Sequence, residues 1–408
     1  MRCRHCGAQL GLTLVDLGSA PPSNAYLTAD KLERPEKYFP LRVLVCESCW
    51  LVQTEDFAQA DELFDADYSY FSGYSVSWLE HAEEYVRSMV QRFGLTRESY
   101  VVEVAANDGY LLQYVQARGI PCLGIEPTAS TAAAARAKKI PIVEEFFGAR
   151  LGRELATQAR ADLIVANNVL AHVPDINDFV SGFTALLKPD GVATFEFAHV
   201  MRLIAGNQFD TIYHEHFSYL SLTAVAHVLT ANGLSVFDVE ELPTHGGSLR
   251  VFVQPTDSGQ VPRIARVDEL LECEARAGID TAAYYAGFQA KAEGVKNDFL
   301  RFLLDANRRG KSVAAYGAAA KGNTLLNFGG VRPDMIRFVV DANPAKQGKF
   351  LPGSRIPIVG EDRLRQDKPD YVVILPWNLR TEVMRKLAYI DEWAGRFVTA
   401  VPRLEIQP

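Results

Sequence analysis

Tyr213, His214, Glu215 and His216 put a phenol, two imidazoles and a carboxylate in four consecutive positions, the densest group of proton-transfer side chains in the chain. Imidazole titrates nearest neutrality of the side chains, and a neighbouring carboxylate can orient it and raise its basicity. A general base is therefore the chemistry to expect here, set against the plainer reading of a polar loop with surface histidines.

Four of the six cysteines form the pairs Cys3-x2-Cys6 and Cys46-x2-Cys49. Each pair places two thiolates on one side of a tight turn, and two such knuckles make a tetrahedral shell of four sulfurs suited to zinc. Redox dithiols or an iron–sulfur cluster are the alternatives, and neither knuckle opens a βαβ unit. Four thiolates leave no open coordination position, so the expected zinc is structural. Cys122 and Cys273 stand alone and read as small buried hydrophobes.

These groups need elements to hold them. A chain of 408 residues exceeds one core and implies two or three domains. No apolar run reaches the ~20 residues of a membrane span, and the amino terminus lacks a signal-peptide core, which predicts a cytoplasmic protein without membrane contact. A formal charge of −8 argues against nucleic acid as a partner. Residues 1–57 read as a small zinc-binding domain, too short to bury much core without its metal. An aromatic stretch containing Phe64, Tyr68, Tyr70, Phe71, Tyr74 and Trp78 follows. It reads as packing between domains, or as a lid in which Tyr70 or Tyr74 reaches a substrate.

From residue 100 the pattern becomes α/β. Apolar strands are expected at 101–105, 122–125, 162–166 and 192–197, with a helix opening near Tyr110, as in a doubly wound parallel sheet that gathers ligands at the carboxyl ends of its strands. Residues 58–250 read as this central Rossmann-like domain. A dinucleotide fold would want G-x-G-x-x-G, whereas Ala105 and Asn107 stand where glycines would sit. A class I S-adenosylmethionine methyltransferase instead wants an acid near the first strand, a turn, and a second acid for the ribose. Glu103, the Asn107-Asp108-Gly109 turn and Glu126 are spaced accordingly.

Residues 251–408 read as a second Rossmann-like domain, entered by a helical stretch over 268–307. Its first loop, Gly317 to Thr324, is not a Walker A loop, because Lys321 precedes the second glycine. A helix amino terminus with one lysine is a reasonable diphosphate site. Trp377 follows another strand end on the same rim, where an indole could stack on a base. His245 opens His-Gly-Gly, whose Gly246 suggests close backbone approach to a ligand or a tight interdomain turn. His199 reads as lining the cleft, while His81 and His227 read as ordinary helix residues.

Taken together, Cys3-x2-Cys6…Cys46-x2-Cys49, Glu103-Val104-Ala105-Ala106-Asn107-Asp108-Gly109-Tyr110-Leu111-Leu112, Asn167-Asn168-Val169-Leu170-Ala171-His172-Val173, Tyr213-His214-Glu215-His216-Phe217-Ser218 and His245-Gly246-Gly247-Ser248-Leu249-Arg250 carry a resemblance. The chain resembles the three-domain, zinc-containing, S-adenosylmethionine-dependent C-methyltransferases that act on nucleotide-linked 4-keto-deoxyhexoses, and it does so along essentially its whole length. The resemblance implies methyl transfer to C3 of a nucleotide-diphospho-sugar through an enolate. It implies His216 as base, Glu215 as its partner and Tyr213 as donor to the keto oxygen, or Tyr213 as base with His216 lowering its pKa. Ala105, Asn107, Gly109, Asn167, Asn168 and His172 would then flank the cofactor, with capping of the next helix as an alternative for His172. Tyr74, His245, Gly246, Lys321 and Trp377 would face the sugar nucleotide. Other classes stay open: a nicotinamide-dependent oxidoreductase or epimerase on a sugar nucleotide, or a non-catalytic binding scaffold. The sequence does not give the oligomeric state.

Overall fold

The computed structural model describes residues 1–57 and 71–407. Phe64, Tyr68 and Tyr70 of the aromatic stretch lie outside the described residues.

Strands β1 (Leu12–Ala20), β2 (Phe39–Val45) and β3 (Val52–Thr54) form an antiparallel sheet. A bulge between Thr13 and Val15 turns two successive side chains, Leu14 and Val15, into its core. The far edge of this sheet is completed by residues 218–219, so the amino-terminal unit takes a strand from just beyond His216.

The central sheet contains β4 (Val101–Val104), β5 (Cys122–Ile125), β6 (Ile142–Val143), β7 (Ala161–Asn167) and β8 (Leu187–Ala198), all parallel. All four residues of β4 are buried, as expected of a strand covered on both faces. The chain then crosses to the first sheet as β9 (Ser218–Tyr219) and returns as the hairpin β10 (Leu234–Leu242) and β11 (Ser248–Pro255). The order is β10-β11-β8-β7-β4-β5-β6, with β11 antiparallel to both neighbours. The sheet is therefore mixed where a parallel one was expected. A domain limit at 250 would also cut β11, since residues 251–253 pair with β8.

The helical stretch expected over 268–307 is broken twice. Ala265–Ala277 ends at Gly278 (φ 87°), Ala282–Tyr285 is a single turn, and Phe288–Arg308 starts after Gly287 (φ 82°). Both glycines adopt left-handed backbone that ends or redirects a helix at little cost.

The third sheet holds β12 (Val313–Tyr316), β13 (Val339–Val340), β14 (Ile358–Val359), β15 (Tyr371–Ile374), β16 (Arg396–Thr399) and β17 (Glu405–Gln407). Its order is β14-β13-β12-β15-β16-β17, parallel except for β17. Both α/β sheets reverse direction of growth beside their first strand, β4 against β7 and β12 against β15, which opens a crevice at the strand ends. One apolar core runs from Leu14, Val43 and Val52 through Phe209 and Ile212 to Phe299, Val313 and Leu326, so the first and third sheets pack together around the segment bearing His216. Among the described residues no helix is long and apolar enough to cross a membrane.

Candidate active site

At the end of β4 the backbone turns through left-handed residues at Ala105 (φ 59°), Asn107 (φ 49°) and Gly109 (φ 73°). Gly109 is required on two counts, since a Cβ there would lie 2.3 Å from Ile140 Cδ1. Glu126, just past β5, holds this loop: Oε2 accepts the Asn107 N–H at 2.9 Å and Oε1 accepts the Thr128 N–H at 3.0 Å. The Thr131 and Thr128 side chains add hydrogen bonds to the same carboxylate. Burial pushes the Glu126 carboxyl upward, while those backbone bonds pull it back. Glu103 is buried beside the Tyr110 hydroxyl, and burial drives its carboxyl well above the ordinary range.

Across the crevice Asn167 ends β7 and Asn168 takes φ 53°. The Asn167 side-chain N and O and the Asn168 Nδ2 are buried without a protein partner. Buried amides are normally satisfied, so these groups await a polar ligand at the strand ends. Unsatisfied amides at the strand ends, with a buried acid just past the second strand, fit S-adenosylmethionine.

Residues 71–74 cover the same turn. The Ser72 N–H donates to Asn107 Oδ1 at 2.9 Å, and a Cβ on Gly73 would lie 2.3 Å from Asp108 Oδ2. Tyr74 itself is 68% exposed, with its ring edge-on to Phe71.

The proton-transfer residues lie on the loop between the short turn Phe209–Thr211 and β9. His216 Nδ1 is 2.9 Å from the Thr211 carbonyl oxygen. A carbonyl can only accept, so Nδ1 carries the hydrogen and the neutral ring has its lone pair on Nε2. The Tyr213 ring lies 3.9 Å from that of His216, and the His172 ring 4.6 Å away on edge. His172 is fixed the same way, donating Nδ1–H to the Glu215 carbonyl oxygen at 2.7 Å. It does not cap the following helix, Ile176–Leu186, whose Asp178 N–H is taken by Asp175. Burial pushes the His172 imidazole down to about 4. His216 is held well below its usual value by burial first, then by the neighbouring His172, with Lys321 and His245 adding to the effect.

Glu215 is not the partner of His216. Its side chain points to the opposite side of the segment, where Oε1 accepts the Asn24 N–H at 3.2 Å and the Asn24 Nδ2–H at 3.1 Å. His214 and Glu215 occupy a tight turn closed by the His216 N–H on the Tyr213 carbonyl oxygen at 2.9 Å, and this turn sends the Glu215 side chain away from the His216 ring. His214 likewise points to the amino-terminal unit, with Nε2 3.3 Å from the Phe39 carbonyl oxygen and 3.2 Å from that of Pro40. Tyr26, two residues from Asn24, donates to the Ala318 carbonyl oxygen at 2.6 Å. One short strap of the amino-terminal unit thus touches both the Tyr213–His216 segment and the first loop of the third sheet.

From the other side, the helix Ala320–Phe328 brings Lys321, with Nζ 3.0 Å from Asn378 Oδ1 and 4.8 Å above the Trp377 ring. Trp377 Nε1 donates to Asp210 Oδ2 at 2.7 Å. A Cβ on Gly246 would come 2.6 Å from Trp377 Cη2, so the glycine admits the indole. The indole is thereby committed to the junction, and Lys321 covers one face where a base was expected to stack. Burial raises Asp210 to about 6 and lowers Lys321. His245 (φ 53°) packs edge-on to Trp78 at 5.1 Å, and its imidazole is pushed down to about 4 by burial and by Lys321.

Sequence reasoning missed His81 and Glu196. His81 Nε2 lies 2.9 Å from Glu196 Oε2, and Arg250 Nη2 donates to the same oxygen at 2.7 Å. Trp78 stacks on His81 at 4.8 Å and approaches Tyr110 at 6.0 Å, so this network forms the wall between the cofactor crevice and His245. Helical periodicity made His81 look ordinary, and only its cross-strand partner reveals it. His199, expected in the cleft, is instead buried against Glu274 at 2.7 Å. That carboxylate also accepts the Leu222 and Thr223 N–H groups at 2.8 Å, at the start of the helix Leu222–Ala231.

The sulfur atoms of Cys3, Cys6, Cys46 and Cys49 all lie within 4.8 Å of one another. The Cys3–Cys49 pair stands at 3.6 Å and Cys6–Cys46 at 3.5 Å. Zinc at the usual Zn–S distance of about 2.3 Å needs sulfurs about 3.8 Å apart, so the cluster fits a tetrahedral ion. Gly7 (φ 74°) and Trp50 (φ 60°) close the knuckles by donating to the carbonyls of Cys3 and Cys46 at 3.0 and 2.8 Å. A groove of about 420 Å³ elsewhere, between Arg301, Arg309, Tyr371 and Arg403, lies at the start of β15 and not at the strand ends that carry the chemistry.

Three family models cover most of the chain: a putative zinc binding domain over residues 3–64, a methyltransferase domain over 78–239, and a C-methyltransferase C-terminal domain over 243–402. C-methyltransferase NovU of Streptomyces niveus is 36% identical over 401 residues, 98% of this chain and 95% of its own. A ubiquinone biosynthesis O-methyltransferase of Rhodopseudomonas palustris is 29% identical over 94 residues, 22% of this chain and 37% of its own. Among solved structures, magnesium protoporphyrin IX methyltransferase from Synechocystis PCC 6803 with bound SAM matches 44% of this chain and 79% of its own, at 16% identity and a TM-score of 0.34. With a full-length relative, three matching domains, a cofactor crevice and a four-cysteine cluster, the chain belongs to the zinc-containing, S-adenosylmethionine-dependent C-methyltransferase family that its motifs resemble.

Proposed function

We propose that the substrate is a nucleotide-diphospho-4-keto-deoxyhexose and that the methyl group goes to C3, next to the ketone. Carbon is a poor nucleophile until an α proton is removed, so such an enzyme needs a base and a stabiliser for the enolate oxygen. The observation that carries the reading is His216: Thr211 fixes its Nδ1–H and leaves the Nε2 lone pair as base, on a segment packed between the first and third sheets and against His172 past β7. Its depressed pKa keeps it neutral and competent at pH 7. S-adenosylmethionine supplies the electrophilic methyl group. Tyr213, packed with its ring tilted against His216, is suited to donate to the keto oxygen, while Glu126, Asn167 and Asn168 are suited to hold the cofactor.

The third sheet supports a nucleotide as the handle. Asp341, just past β13, accepts the Ala318 N–H at 2.7 Å and the Asn343 N–H at 2.8 Å. That repeats the arrangement of Glu126 with Asn107 and Thr128, so in both α/β units an acid just past the second strand holds the loop that follows the first. A nicotinamide reading is less well served. The loop lacks the three-glycine pattern, and Tyr26 and Lys346 both bond the Ala318 carbonyl, at 2.6 and 2.8 Å. Incubation with S-adenosylmethionine and a panel of nucleotide-linked keto-sugars tests the proposal. A gain of one methyl mass on a 4-keto substrate supports it. Nicotinamide-dependent turnover, or methylation confined to substrates without a ketone, overturns it.

A further inference from the structure

Lys321 is the charged residue of the cleft whose placement departs most from its sequence reading. A diphosphate site would leave the ammonium at an open helix terminus. Instead it bonds Asn378 and lies over Trp377. Thr324, one turn along on the same helix face, donates to the Ile212 carbonyl at 2.7 Å. Ile212 adjoins Thr211, the residue that fixes His216. The helix therefore lays Lys321 against the loop that carries the base. Nearby guanidinium groups are already paired, Arg250 with Glu196 and Glu240, and Arg202 with Glu241.

Asp210 helps to decide what anion this cation serves. The Trp377 indole that carries Lys321 also donates to Asp210, so a carboxylate stands beside the site. A diphosphate brings its charge when it binds and would meet that carboxylate throughout. A ketone is neutral on binding and gains charge only as its α proton leaves. An ammonium held in a half-buried cleft then contributes selectively to the charged transition state. The Lys321 charge also depresses both His216 and His245, which puts cation and base in one cleft.

We propose that Lys321 is a catalytic residue whose ammonium stabilises the enolate oxygen of the substrate ketone. This rests on the keto-sugar reading above. His216 Nε2 takes the α proton, and the electron pair of the broken C–H bond becomes a carbon–carbon π bond. The carbonyl π pair moves onto oxygen, where the negative charge meets Lys321 together with the Tyr213 hydroxyl.

The test separates enolisation from methyl transfer by following deuterium entry from D2O at the carbon next to the ketone, with S-adenosylhomocysteine in the cofactor site. Lys321→Met should lower exchange and kcat together, by ~10²-fold or more, with the sugar-nucleotide KM within about threefold of wild type. Lys321→Ala should regain part of its exchange rate with added ethylamine. Thermal unfolding and cofactor affinity check that both variants fold. A large rise in KM with kcat and exchange preserved overturns the inference in favour of a diphosphate contact. Wild-type protein that exchanges no deuterium into any 4-keto-sugar nucleotide, yet methylates another substrate, overturns the underlying reading and the inference with it.

Discussion

Trp377 donates its indole N–H to Asp210 at 2.7 Å, which ties the loop after β15 to the short turn that leads into the segment bearing His216. Asp210 is buried, and its other oxygen has no protein partner. Trp377→Phe keeps most of the packing against Gly246 and leaves a second buried acceptor unsatisfied. It should cost about 1–3 kcal/mol of stability, read as a lower unfolding midpoint in denaturant. An unchanged midpoint would show that the junction does not depend on this bond.

The pH profile follows from the base. As the proposed base His216 would work as neutral imidazole, and burial, His172 and Lys321 all disfavour its charged form. A lowered pKa extends the active form to more acidic solution, so kcat/KM should hold through neutrality and fall only below the ordinary 6.5 of a histidine. Lys321→Met removes one of the depressing charges and should move that acid limb upward. A limb above 6.5 in wild-type protein contradicts the assignment.

Glu126 holds the loop N–H groups, and the proposed function gives it the cofactor ribose as well. Glu126→Ala should weaken S-adenosylmethionine binding by about ten- to a hundredfold, the scale of ~1.5–3 kcal/mol for charge-assisted hydrogen bonds, and should also loosen the Asn107 turn. Calorimetric titration reads the first effect. Unchanged affinity would remove Glu126 from the cofactor site.

The zinc expectation is one ion per chain on Cys3, Cys6, Cys46 and Cys49. Cys46→Ser should release it and lower thermal stability, because the knuckles share a core with Leu44, Leu51 and Phe197. Elemental analysis that finds no zinc, or iron in its place, contradicts this.

What the sequence made legible was local or periodic. The cysteine pairs, the apolar strands 101–104 and 122–125, and the turn at Asn107 are each written within a few residues. Pairings across long separations were not. Nothing near residue 24 shows that Asn24 holds Glu215, and nothing near residue 81 shows that Glu196 meets it 115 positions away. Glu215 misled because adjacency suggested contact with His216, whereas the turn from Tyr213 to His216 sends the two side chains to different partners. The hairpin of β10 and β11 was hidden because antiparallel return strands have no signature in a βα pattern. His199 was drawn to Glu274, a partner on a helix whose polar positions looked solvent-exposed.

The Glu215 correction has its own consequence. Glu215→Gln should leave the His216 tautomer intact, because Thr211 sets it, so turnover should stay within about tenfold of wild type. Asn24→Ala should instead lower stability by about 1–3 kcal/mol, because it removes the side-chain donor to a buried carboxylate while the backbone N–H stays. A loss of turnover in Glu215→Gln as large as that in a His216 variant would restore Glu215 to the base.

The central claim is that His216 removes the α proton, and it is tested most directly by comparing His216→Asn with Tyr213→Phe in the D2O exchange assay with S-adenosylhomocysteine bound. The account predicts that His216→Asn loses exchange and methylation in parallel, by ~10²-fold or more, with cofactor affinity nearly intact, while Tyr213→Phe slows both and keeps measurable exchange. Exchange that persists in His216→Asn and disappears in Tyr213→Phe would contradict it and make Tyr213 the base.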